Sequence, residues 1–77
     1  MDTTKHQILV LVDTIYRECK DPNAIAYIKG LYQAELDYGM KGFKTQIIYI
    51  MCNIGHWRGE IARTTKAEMK RLIKDLK

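Results

Sequence analysis

Apolar residues recur at three- and four-residue steps in each of four successive segments, the period of an α-helix buried along one side. Ile8, Leu11, Val12, Ile15 and Cys19 mark the first segment, and Phe43, Ile47, Ile50, Met51 and Ile54 the third. Ile61, Thr65, Met69, Leu72, Ile73 and Leu76 mark the fourth. The apolar run at 8–12 would also suit a short buried strand, but nothing nearby offers it a pairing partner. The expectation is an all-α fold, a small bundle of three to four helices forming a single domain over residues 1–77.

Punctuation divides the helices. Residues 4–20 form the first, with Asp2, Thr3 or Thr4 available as its cap. Asp21-Pro22 is the clearest boundary. An Asp at the N-cap accepts orphan amide hydrogens, and proline at the next position has no amide to lose. The second helix then runs to about residue 38, with Gly39 as its left-handed C′ residue. Gly30 in its middle costs about 1 kcal/mol relative to alanine, which hints at a close helix crossing. The third helix covers about 43–54.

The join to the fourth helix leaves two readings open. Gly55 and Gly59 disfavour helix by roughly 2 kcal/mol together. Yet Ile54, Trp57, Ile61, Thr65 and Met69 continue in phase across them. One long helix bent near Gly55 therefore competes with two helices and a tight turn, and the glycine cost tips the balance towards a break. Gly55-x-x-x-Gly59 would form a flat contact patch if helical and a hinge if not. Thr65-x-x-Glu68 matches a capping box, but its phase places it inside a helix.

Several helices carry more apolar surface than one stripe. Leu9, Val10 and Tyr16 widen the first, and Ile48, Tyr49 and Cys52 the third. The second carries two stripes, Ile25, Ile28, Tyr32 and Leu36 beside Ala24, Tyr27, Leu31, Ala34 and Tyr38. The chain is 47% hydrophobic, whereas a domain this small buries only about 60–65% of its unfolded surface. Docking follows as an expectation, either homo-oligomerisation through the surplus faces of the first and third helices or contact with another protein.

Charge is unevenly spread. Residues 1–40 carry four Lys/Arg against six Asp/Glu, net −2, while residues 41–77 carry nine against three, net +6. Arg63, Lys66, Lys70, Lys74 and Lys77 line one side of the last helix, with Arg71 flanking. Such an edge suits a phosphate backbone, an acidic protein or plain solvent. Glu68 and Asp75 stand close enough in sequence to pair with Arg71.

His56, Trp57, Arg58 and Glu60 are the most chemically varied cluster. Trp and Arg side chains stack on flat ligands, and Arg grips phosphate bidentately, so a nucleotide-like ligand is one reading. The plainer one makes Trp57 a packing anchor and leaves Arg58 and Glu60 at the surface. A helix-turn-helix centred on Gly55 fits poorly. It puts His56 where an apolar residue belongs and Met51 where a small one does.

Cys19 and Cys52 are isolated, with no ligand spacing to His6 or His56, so they are read as buried structural thiols. No metal or cofactor is expected. Catalysis needs a nucleophile with a base in reach, and no motif supplies one. The apolar run at 8–12 is too short for a signal peptide or a span, so the chain is expected in the cytoplasm, off the membrane.

Gly42-Phe43-Lys44-Thr45-Gln46-Ile47-Ile48-Tyr49-Ile50 and Asn53-Ile54-Gly55-His56-Trp57-Arg58-Gly59-Glu60, with Ala62 and Lys66 following, resemble short helical proteins of phages and prophages. The likeness covers about half the chain. It implies a mobile-element protein acting by binding: a regulator, a host-factor inhibitor or a sequestering protein. The functional expectations rank accordingly. A non-enzymatic protein-binding homo-oligomer comes first, then a nucleic-acid binder using the basic helix, then a nucleotide-ligand binder at the 56–60 bend.

Overall fold

The computed structural model describes residues 3–76, which form four helices and no strand. They are α1 (Thr3–Glu18), α2 (Pro22–Lys29), α3 (Leu31–Cys52) and α4 (Glu60–Asp75). Helix α1 buries Ile8, Val12 and Ile15, the stripe its spacing predicts. Thr3 and Thr4 lie within it rather than capping it, and Asp2 lies outside the described residues. Its end falls two residues earlier than expected. Lys20 follows in a left-handed conformation at φ 59°, an arrangement that releases the chain towards the next cap.

Asp21 caps α2 as expected. It holds an extended backbone, and its Oδ1 accepts from the Ala24 amide at 2.9 Å, with Pro22 in the first turn. The helix expected to run on to residue 38 is interrupted at Gly30, which ends α2 and begins α3. The interruption is slight. The Gly30 amide still donates to Ala26, and its carbonyl still accepts from Ala34.

Gly39 is the larger break. Its φ of 69° and ψ of −152° lie outside helical space, in a region essentially confined to glycine. Positive φ is what the sequence predicts there, but the ψ value makes a sharp corner instead of a left-handed cap. The chain reverses at this corner. Tyr27 stacks on Tyr49 with ring centroids 5.4 Å apart. Gln46 donates to the Tyr27 carbonyl and approaches Gly30, and Gly42 meets Ala34. Residues 22–38 and 40–52 are therefore antiparallel arms of one helical hairpin, and small residues at 30, 34 and 42 form its seam. The close crossing inferred at Gly30 is present, but it is tighter at Gly42.

Helix α4 packs along α1, and one apolar cluster joins all four helices. Phe43, Ile47 and Ile50 from α3 meet Ile8 and Ile15 from α1 and Met69 and Leu72 from α4. The radius of gyration, 11.6 Å, matches the roughly 11.5 Å expected of a compact 77-residue domain. Apolar residues left outside are thus not the product of a loosely packed chain.

Two inward expectations fail. Ile61 is 53% exposed, because α4 buries Ala62, Thr65, Met69 and Leu72 instead. The expected stripe holds at Thr65, Met69, Leu72 and Leu76, but the first turn of α4 meets the core three residues before Thr65, at Ala62, instead of four before it, at Ile61. Cys52 is exposed and Cys19 half-buried. Cys52 sits two residues past Ile50, which carries it away from the buried side. The surplus of the second predicted helix stays outside: Tyr32, Leu36 and Tyr38 are 72%, 61% and 74% exposed, since the hairpin's first arm buries only Ala24 and Leu31.

No helix among the described residues is long and apolar enough to cross a membrane.

Candidate functional site

The break between α3 and α4 is a seven-residue link, 53–59, held by specific bonds. The Asn53 side chain donates to the Tyr49 carbonyl at 2.8 Å, and the Trp57 amide donates to Ile54 at 3.0 Å. Lys66, reaching back from α4, donates through Nζ to the carbonyls of Trp57 at 2.5 Å and Gly55 at 3.3 Å. His56 Nε2 lies 3.3 Å from Asp21 Oδ2, so the residue that caps α2 also anchors this link. Trp57 is half-buried against the core. Gly59 then starts α4 at φ 112°, with no side-chain cap. The missing Ser, Thr, Asp or Asn before α4 is met by a glycine whose backbone makes the turn. A link of this length, followed by an exposed Ile61, departs from helix-turn-helix geometry.

The link and the outer side of α4 together form an open groove of about 610 Å³. Trp57, Arg58 and Glu60 contribute from one end, and Arg63, Lys66 and Lys70 from the helix. Two candidate sets that the sequence kept apart, the 56–60 cluster and the basic edge, thus share one concavity. Gly59 and Ala67 also line it. Their small size opens the space, a role that residue chemistry alone does not signal.

The remaining predicted residues fall elsewhere. His56 is turned towards Asp21. Arg71 forms a two-point ion pair with Glu68, at 3.1 and 2.5 Å, and is taken out of the basic edge. That hydrogen bond and the accompanying charge hold the Glu68 carboxyl below its ordinary range and push Arg71 up. Glu68 serves this pair, and Thr65 lies buried inside α4, so the capping-box match does not cap. Lys74 is exposed one turn beyond Lys70. Lys77 lies outside the described residues.

Among the described residues, Arg58, Arg63, Lys70 and Lys74 have no hydrogen-bond or ion-pair partner. Arg17 and Lys5, by contrast, pair with Asp13 and Glu35. No group of three His, Cys, Asp or Glu side chains among the described residues could hold a metal ion.

A second groove, of about 560 Å³, runs between α1 and the hairpin's first arm. Leu9, Tyr16 and Tyr32 border it, Phe43 forms part of its floor, and Lys5, Asp13 and Glu35 supply its polar members. Lys5 also stands over the Phe43 ring, 5.5 Å from the centroid. The sequence marks these apolar residues as surplus on their own helices, yet only the fold brings them together. The surplus of α1 meets Tyr32 and not the third predicted helix, whose Tyr49 borders a separate groove with Tyr38.

No family model matches this chain, and no curated protein or solved structure is significantly similar to it.

Proposed function

We propose that this chain is a non-enzymatic binding protein that works as a homodimer, paired through the groove between α1 and the first arm of α3. One observation carries the reading. Leu9, Tyr16 and Tyr32 remain 41%, 44% and 72% exposed around a single concavity in a compact fold, and Leu36, 61% exposed, lies one helical turn beyond Tyr32. Their uncovered surface comes to roughly 450 Å², within the range of apolar patches that mark contact sites. Two copies bring about 900 Å² together before the polar rim is added, close to the 1,000–1,200 Å² at which specific interfaces begin.

Charge favours a second copy as the occupant. Lys5 and Arg17 balance Asp13 and Glu35 at this face, so it meets itself without repulsion. The outer face of α4, with Arg58, Arg63, Lys70 and Lys74 unpaired, would repel its own copy. Tyrosine-rich, half-apolar surfaces are also where binding energy concentrates. A dimer of this kind suits the regulator, inhibitor and sequestering roles implied by the phage-protein resemblance.

Sedimentation equilibrium from about 1 µM to about 500 µM tests the proposal. Wild type is expected to pass from monomer to dimer within that range. Tyr32→Asp is expected to stay monomeric with an unchanged melting temperature at low concentration, because Tyr32 supports no core packing. Wild type that is monomeric throughout, or Tyr32→Asp that dimerises equally well, overturns it.

A further inference from the structure

We infer that the groove formed by the 53–59 link and α4 binds a single strand of nucleic acid, with Trp57 stacking on a base and Arg58, Arg63 and Lys70 contacting phosphates. The groove lies within one copy of the chain, so this inference stands apart from dimerisation.

Three observations carry it. The concavity is preformed, because Lys66 clamps the Trp57 and Gly55 carbonyls and His56 is held by Asp21. Lys66 thus spends its ammonium on shaping the site and leaves phosphate contact to its neighbours. Second, the charge is one-sided. Arg58, Arg63 and Lys70 line the groove without partners, and Glu60 is its sole acidic member. From Arg63 to Lys70 the helix rises about 10 Å, enough to follow consecutive phosphates of one strand. Lys74 extends the track by about 6 Å. Third, Trp57 lines the same groove as these cations. An aromatic platform beside a cationic groove is the arrangement by which proteins hold single strands without reading sequence.

Other anionic partners fit less well. An acidic peptide would meet the cations but would leave the indole without a flat partner. A free nucleotide would use one or two of the cations and leave the rest of the track empty. A duplex buries its base faces, so it could not stack on Trp57.

Trp57 is the chain's only tryptophan, so its fluorescence reports stacking directly. Twelve-nucleotide oligothymidylate is titrated between about 50 and 200 mM salt. Quenching is expected, with log K falling against log salt at a slope of about −2, as three single-strand phosphate contacts require. Arg63→Glu/Lys70→Glu should weaken binding at least tenfold, roughly one decade per lost contact pair. Both residues are exposed and unpaired, so the fold survives the change. Lys29→Glu/Lys41→Glu makes the same change in net charge away from the groove and should leave affinity within about twofold.

Several results would overturn the inference: no quenching at the lowest salt, or equal losses in the two double variants. So would equal affinity for the duplex or for polyglutamate, or quenching by thymidine monophosphate at the same nucleotide concentration.

Discussion

Gly42→Ala should destabilise this protein although helix propensity argues the reverse. Within a helix, alanine is favoured over glycine by about 1 kcal/mol. Gly42, however, is buried where the hairpin arms touch. A Cβ placed there would lie 2.4 Å from the Ala34 carbonyl oxygen and 2.7 Å from the Tyr38 Cβ, whereas comfortable carbon contacts begin at about 3.5 Å. Neither obstacle is the free end of a side chain, so no rotamer change relieves the clash. The arms must part by about 1 Å, and the corner at Gly39, three residues away, resists that. Overpacking of this kind costs about 1–3 kcal/mol, and a clash with backbone belongs at the upper end. After the propensity gain, a net loss of about 1–2 kcal/mol remains. Urea denaturation followed by circular dichroism should show the midpoint falling by about 1–2 M, given a slope near 1 kcal/mol/M for so small a chain. The melting temperature should fall by about 5–15 °C. Gly55→Ala is the control. Its Cβ would meet nothing within 4 Å, so it should be neutral or stabilising by up to about 0.5 kcal/mol. A Gly42→Ala protein as stable as wild type would refute the antiparallel register that Tyr27–Tyr49 and Gly30–Gln46 define.

Asp21→Ala should cost about 1 kcal/mol through loss of the α2 cap, and Asp21→Asn, which keeps an acceptor, should recover most of it in the same urea assay. Equal losses in both would place the effect in the charge facing His56 and reject capping. Arg71 holds the Glu68 carboxyl below its ordinary pKa, so the pair's contribution is fully present above the unfolded carboxylate's pKa and is lost as pH falls through the lower folded value. The urea-midpoint gap between wild type and Glu68→Gln should therefore be small at neutral pH, as for any exposed pair, and should close below about pH 4. A gap of constant size down to pH 3 would reject it.

The parts of the fold legible in the sequence are those fixed by local chemistry or by an unbroken period. Asp21-Pro22 announces its cap because the acceptor, the amide and the proline lie within four residues. Ile8, Val12 and Ile15, like Phe43, Ile47, Ile50 and Ile54, announce buried stripes because no break shifts their phase. Ile61 fails for a different reason. A 3.6-residue period allows a step of three or of four back from Thr65, so apolar spacing chose Ile61 where the first turn of α4 buries Ala62. The tight seam at Gly42 was not legible because its close neighbour, Ala34, is eight residues away and comes near only after the chain reverses at Gly39. The candidate site divides in the same way. The spacing of Arg63, Lys66 and Lys70 along one helix side was readable, and so was the chance that Arg71 pairs locally. That Lys66 bonds to carbonyls nine and eleven residues back, or that His56 meets Asp21, depends on contacts between elements that no periodicity encodes.

Charge, more than hydrophobicity, separates the two grooves into different tasks. Both have apolar walls, and both are open enough to accept a partner. The α1–α3 groove draws on residues 5–35 together with Phe43, mostly from the net-negative half of the sequence, yet Lys5 in its lining and Arg17 beside it balance Asp13 and Glu35. The link–α4 groove draws on residues 57–70 and is dominated by cations. A head-to-tail contact between the two would need an acidic patch on the first to match the second, and the balanced rim does not supply one. Such a heterologous contact would also give a closed assembly only if its rotation formed a ring, and open chains otherwise. Pairing the balanced face with itself gives a closed twofold dimer and leaves both cationic grooves free. The charge asymmetry along the sequence thus becomes a division of surfaces in space. The neutral face is suited to a copy of the chain, and the basic face to a polyanion.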